Sequence, residues 1–300
     1  MDETLVTSVD GHPLRAFSRP WDAQKPALTF VLPFGTKYDI AQPLFEQLGA
    51  RFNVLTWEAR MILDDPRADV DVARITPAMH VADMMSVLAR FGVARSDVIG
   101  YCSGAGIALL AAQQYPSSFS RLLLVAGEYV LPRHTCARTR FQEDVDALLP
   151  LAAKSKAHAS AVFSRIPQRE GVASDPVRRA AALPFSRPEY LHRFGANYVQ
   201  YRHVRFLEVA RSIAHTALVL VGRRDEQVTV ESSALIHEKL AHSRFHVDPA
   251  ADHYDVCRGN TTIERRVLEF LSPPSHPPAD DRHFDAASPL RTTAPTMGLK

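Results

Sequence analysis

Gly100-Tyr101-Cys102-Ser103-Gly104 places a cysteine between an apolar run, Val98–Tyr101, and a helix-like stretch over Gly104–Gln114. A nucleophile presented at the apex of a tight strand-to-helix turn is exposed for reaction, but strand and helix then nearly touch. Positions two before and two after the apex must therefore be minimal. Gly100 and Gly104 meet that need only if Cys102 is the apex. With Ser103 at the apex, those positions would be Tyr101 and Ala105, and Tyr101 would not fit. The register assigns the nucleophile to Cys102 and leaves Ser103 to offer its backbone N–H.

A nucleophile needs a base, and the base an orienting group. Asp225, in Arg223-Arg224-Asp225-Glu226, follows the apolar run Ala217–Gly222. His253, in Asp252-His253-Tyr254, follows a strand near Arg244–Val247. Both sit where strands end, so Cys102, Asp225 and His253 come from three loops on one sheet edge, in the chain order nucleophile, acid, histidine. Glu128, after the run Arg121–Ala126, is the alternative acid. An oxyanion would need two N–H donors. Ser103 is the expected first. The loop Phe34-Gly35-Thr36 supplies the second, expected at Thr36, with Gly35 letting the backbone turn inward. Phe34, Trp57 and Tyr101 are candidate pocket residues, with ordinary packing the competing reading for the last two.

The elements that must position these groups read as strand–helix alternation. Leu5–Val9 and Leu14–Phe17 flank Asp10-Gly11 as an opening hairpin. Ala27–Leu32 and Asn53–Trp57 read as strands buried on both faces, with a helix over Ala41–Leu48 between them. Thr76-Pro77 opens a helix running to about Phe91. Alternation breaks over 133–212, where helical pieces are expected near 141–153, 157–164, 176–182 and 188–211. It resumes with a helix over Val230–Ala241 and a last helix from Thr261 to about Leu271. The expected architecture is a mainly parallel sheet flanked by helices. Its core comprises 1–132 and 213–272, with 133–212 a helical lid insertion. The proline-rich 273–300 is expected to be a disordered tail.

Composition narrows the function classes. With 46% hydrophobic content, 300 residues can bury a large α/β core, and a net charge of +2 gives no sign of nucleic-acid binding. No run approaches a membrane span, and Met1-Asp-Glu-Thr lacks a signal-peptide pattern. Three cysteines, at 102, 136 and 257, have no metal-ligand spacing and read as free thiols in a reducing cytoplasm. No metal and no bound cofactor are expected. The insertion carries fourteen Lys or Arg against seven Asp or Glu. Such a surface could attract coenzyme A or an acidic carrier protein, although a solvated helical face explains it equally simply.

Phe34-Gly35, Gly100-Tyr-Cys-Ser-Gly104, Gly222-x-x-Asp225 and Asp252-His253 together resemble the α/β-hydrolase superfamily over residues 4–272. Most members use serine. The cysteine elbow is similar to those of dienelactone hydrolases, polyhydroxyalkanoate synthases and some thioesterases and acyltransferases. Phe34 stands where a histidine is common, and Trp57-Glu58-Ala59-Arg60 replaces the frequent Asp-x-Arg-Gly.

Thiols beside an imidazolium or at a helix N-terminus ionise more readily than free ones. An acyl group on cysteine is a thioester, still activated for a second nucleophile, and exchange from a carrier thioester is nearly isoenergetic. The expected function is therefore acyl transfer or hydrolysis on an acyl-thioester of coenzyme A or a carrier protein. The alternatives are a lactone or ester hydrolase of the dienelactone type and a non-catalytic homologue that binds a ligand or partner.

Overall fold

The computed structural model describes residues 1–166, 174–259 and 261–272. The expected disordered tail, 273–300, lies outside the described residues. Eight strands form one sheet: β1 (Asp2–Thr7), β2 (Pro13–Ser18), β3 (Ala27–Val31), β4 (Asn53–Trp57), β5 (Ser96–Tyr101), β6 (Phe119–Val125), β7 (Thr216–Gly222) and β8 (His242–Asp248). Their order is β1-β2-β4-β3-β5-β6-β7-β8. The β1–β2 hairpin and the β2–β4 pair are antiparallel, and every pairing from β4 to β8 is parallel. All the parallel strands thus end on one edge, where ligands of such sheets bind.

The period-two alternation of strand side chains fills two apolar layers at once. Leu122 and Leu124 of β6, with Val219 of β7, join the layer under α2 (Pro77–Arg90), α3 (Ser103–Gln114) and α9 (Val230–Lys239). Leu123, Val125 and Leu220 face the opposite layer, shared with α1 (Gln42–Leu48) and α10 (Thr261–Leu271). Thr76 caps α2 as its sequence implies, its hydroxyl accepting from Met79 N–H at 3.2 Å.

Between β6 and β7 run α4 (Arg140–Ala152), α5 (Lys156–Phe163), α6 (Pro176–Ala181), α7 (Pro188–Tyr201) and α8 (Phe206–Arg211). Leu149, Ala159, Val162 and Leu191 give this group a small core of its own. The piece expected as one helix over 188–211 is broken between Tyr201 and Phe206. A Cβ on Gly106 would fall on both of those aromatic side chains. Residues five apart on one helix point about 140° away from each other, so only a break lets both pack on Gly106.

Candidate active site

Cys102 joins β5 to α3 with φ 52° and ψ −124°, in the left-handed half of backbone space that a cysteine rarely occupies. Three hydrogen bonds hold the turn. Cys102 N–H donates to Val125 O at 3.0 Å, and Cys102 O accepts from Ala105 N–H at 3.0 Å and Glu128 N–H at 3.1 Å. A Cβ on Gly100 would lie 2.5 Å from Ala105 Cα, and one on Gly104 would strike the Val31 carbonyl. The two glycines are where strand and helix touch, as the register of Cys102 requires.

His253 and Asp225 converge on the same edge. His253 Nδ1 lies 2.8 Å from Asp225 Oδ2. Asp225 Oδ1 accepts the N–H groups of Gln227 (2.8 Å) and Val228 (2.9 Å), so both carboxylate oxygens of this fully buried side chain are satisfied. Nε2 is thereby left to Cys102, with which the His253 ring also interacts. Burial alone would favour neutral imidazole, but the Asp225 carboxylate, Cys102 and the hydrogen bonds to both outweigh it. The pKa of His253 is pushed up to about 10. Tyr101, buried beneath, donates from its hydroxyl to His253 O at 2.9 Å.

Glu128 is not the partner of His253. Its Oε1 accepts Val130 N–H and its Oε2 accepts Gln142 Nε2, each at 2.7 Å. Burial pushes this carboxyl's pKa up, against the opposing hydrogen bonds from Gln142 and Val130.

The expected donor at Thr36 requires correction. Its N–H closes a turn onto Pro33 O at 3.4 Å, and its hydroxyl donates to the same oxygen at 2.9 Å. The N–H of that loop that reaches the elbow belongs to Phe34 and donates to Ser103 Oγ at 3.0 Å. Gly35, at φ 71°, provides the expected inward turn, tucked against Pro184 and Ile62. Ser103 opens α3, where its own N–H has no acceptor within the helix.

A cavity of about 1020 Å³, its solvent-open mouth included, lies over this edge. Phe34, Tyr101, Cys102, Ser103, Glu128 and His253 line its floor. Leu131, with Phe141, Val145, Phe185, Phe194 and Tyr198 from the inserted segment, makes its walls mainly apolar. Trp57, expected here, is not among the lining residues. It is buried in the layer beneath α2, because β4 is separated from β5 by β3 and ends away from the elbow.

Two cavity residues carried no local sequence signal. Tyr201 donates from its hydroxyl to Glu128 O (2.6 Å) and Ser103 O (3.1 Å), and Asn197, one helical turn earlier, pairs its Oδ1 with His80 Nε2 at 2.8 Å. Both look like ordinary core positions of an amphipathic helix. The adjacent loop is bolted to α6: Arg258 pairs with Asp252 (2.8 Å) and Asp175 (2.5 Å), and Arg178 with Asp252 (3.3 Å). Much of the insertion's positive charge is paired internally, with Asp146 alone meeting Arg133, Arg138 and Arg202. Among the described residues no cluster of His, Cys, Asp and Glu has the makings of a metal site. No helix among them is long and apolar enough to cross a membrane.

An eight-stranded, mostly parallel sheet with a strained strand-to-helix turn and a His–Asp pair on its carboxyl edge is the α/β-hydrolase architecture. The model of the α/β hydrolase fold family matches residues 73–257, and the chain belongs to that family. An L-allo-isoleucyltransferase of Pseudomonas savastanoi pv. glycinea is 23% identical over 269 residues, covering 87% of this chain and 92% of that protein. A hydrolase from Pseudomonas aeruginosa PA01 superposes with a TM-score of 0.70 at 21% identity, over 91% of this chain and 99% of that one. The enol-lactonase from Burkholderia xenovorans LB400 does so with a TM-score of 0.67 at 18% identity, over 89% and 99%. At these identities the structural likeness shows a shared fold.

Proposed function

We propose that the protein is a covalent acyl-transfer enzyme, a thioesterase or acyltransferase, that takes an acyl group from a thioester onto Cys102. The observation that carries this reading is the strained Cys102 apex beside His253, whose Nδ1 lies 2.8 Å from the Asp225 carboxylate. The name of the L-allo-isoleucyltransferase relative supports transfer of an aminoacyl group.

In this mechanism Cys102 Sγ attacks the thioester carbonyl as the thiolate. The tetrahedral oxyanion lies between the N–H groups of Ser103 and Phe34, the latter freed when the Ser103 side chain rotates. Collapse breaks the carbon–sulfur bond to the carrier, whose sulfur takes the proton from His253 Nε2 and leaves as a thiol. Neutral His253 then deprotonates a second nucleophile, an acceptor thiol or water, which attacks the acyl-cysteine. Cys102 is released as the thiolate and His253 is again an imidazolium. Asp225 keeps the ring in register throughout. Coenzyme A and a carrier protein are the proposed thioester donors. No metal or cofactor enters these steps.

The test is mass spectrometry of the Cys102 peptide after incubation with L-isoleucyl-pantetheine thioester, with His253→Ala used to slow discharge. An acyl adduct on that peptide, lost in Cys102→Ala, is the expected result. No adduct in either protein overturns the mechanism. Faster opening of a lactone than of any thioester would make the protein a lactone hydrolase instead, and binding without turnover of either would make it a non-catalytic homologue.

A further inference from the structure

We infer that Glu128 is the ammonium-binding group of the acyl pocket, so that the acyl chain carried on Cys102 bears a free α-amino group and an apolar side chain. This rests on the covalent reading above and adds a specificity determinant to it.

Glu128 is held rigidly against the nucleophile. Its N–H donates to Cys102 O, and its carbonyl accepts from Tyr201 Oη. The backbone on either side is strained: Ala126 and Val130 have φ of 46° and 45°, and positive φ is rare for a β-branched residue. Strain of this kind persists where the surroundings over-determine a functional geometry.

The carboxylate faces a cavity whose walls are mainly apolar, and it makes no ion pair among the described residues. Each oxygen accepts one neutral donor, which leaves lone pairs unused. Arg138, a cation on the cavity wall, is spent on Asp146 (3.1 Å) and on Leu131 O (2.8 Å). Burial pushes the Glu128 carboxyl toward neutrality despite its two hydrogen bonds and the opposing charges of His253 and Arg138, a cost that an incoming ammonium would lower. The α-nitrogen of an aminoacyl thioester is two bonds from the carbonyl carbon that Cys102 attacks. It therefore stays within the cavity that Cys102 and Glu128 both line. The same cavity is lined by a further residue with an unsatisfied polar group. Asn197 is fully buried and lines the cavity, and its Nδ2 has no hydrogen-bond partner among the described residues.

Glu128 could instead be only a latch for α4 through Gln142, and the experiment separates the two roles. Glutamine at 128 keeps an acceptor for Val130 N–H and can still pair with Gln142, but it carries no charge. Binding of L-isoleucyl-pantetheine and of its des-amino analogue, 3-methylpentanoyl-pantetheine, is measured calorimetrically on Cys102→Ala protein, with and without Glu128→Gln. Because that protein cannot be acylated, the result is independent of the covalent mechanism. The expected preference for the aminoacyl compound is roughly 10- to 100-fold, falling toward one in Glu128→Gln. Equal affinity of the Cys102→Ala protein for the two compounds, or a preference unchanged by Glu128→Gln, overturns the assignment. The first comparison needs no substitution at 128, so it stands even if that variant folds poorly. Failure of Cys102 to acylate would overturn the covalent reading alone.

Discussion

Glu128 N–H donates to Cys102 O over 3.1 Å, so the residues that carry the cavity carboxylate and the elbow thiol are joined by one backbone hydrogen bond. The turn that strains Cys102 is also the turn that fixes Glu128.

The register of the elbow is tested by two neighbouring substitutions. Cys102→Ala removes the sulfur, and acylation should fall to background. Ser103→Ala keeps the backbone N–H and loses only the acceptor for Phe34 N–H. It should slow acylation by no more than about tenfold. Single-turnover rates with an acyl-thioester read both. The opposite pattern, with Ser103→Ala dead and Cys102→Ala active, would move the apex by one residue.

The His253–Asp225 pair has a signature in pH. Because the folded-state pKa of His253 is raised from 6.5 to about 10, the pair's contribution to stability is fully present below about pH 6.5. It is lost as pH rises through about 10. Acylation by a thiolate–imidazolium pair should show an alkaline limb near the same value. Asp225→Asn removes the strongest upward influence on the ring, so the limb should move toward neutral pH and the Tm should lose its alkaline dependence. Rate–pH profiles and melting curves from pH 6 to 11 follow both. An unmoved limb in Asp225→Asn would assign it to another group.

What could be read from the chain alone depended on how local the constraint was. Gly100 and Gly104 are demanded by a steric contact within five residues of Cys102, so spacing alone located the apex. Asp225 and His253 follow strands that alternation made visible. Which loop N–H points inward is decided by where a turn closes: Pro33 O captures the Thr36 N–H, and Phe34 N–H reaches the elbow in its place. Trp57 was misplaced because strand order is not written in strand sequence, and β3 intervenes between β4 and β5. Tyr201 reaches Ser103 and Glu128 from a helix 98 and 73 residues further along the chain, a contact that only tertiary packing creates.

Away from the cavity, Arg60 and Asp83 form a fully buried ion pair, extended by Ser8 and Asp10. Removing one partner leaves the other charged and dry. Arg60→Ala and Asp83→Ala should each destabilise the fold by about 3–5 kcal/mol. The double variant Arg60→Ala/Asp83→Ala should cost less than the two single losses added together, because it removes both charges of the pair. Denaturant melts of all three close the cycle, and additive costs would show that the pair is not coupled.

Two buried tyrosines allow the contact made by α7 to be weighed against an internal control. The Tyr201 hydroxyl is shared between Ser103 O and Glu128 O. Tyr129, also fully buried in the same cluster, has a hydroxyl with no hydrogen-bond partner among the described residues. Tyr201→Phe should therefore cost about 1–3 kcal/mol, by leaving two carbonyls short of a donor. Tyr129→Phe removes an unpaired polar atom and should be neutral or stabilising. The functional effects should diverge in the same way. Tyr201→Phe loosens the carbonyl that fixes Glu128, so it should lower the preference for aminoacyl over des-amino thioesters, while Tyr129→Phe should leave that preference intact. Thermal melts, with acylation rates for both substrates, measure the two effects on the same proteins. If Tyr201→Phe is as silent as Tyr129→Phe, the helix that carries Tyr201 does not position Glu128.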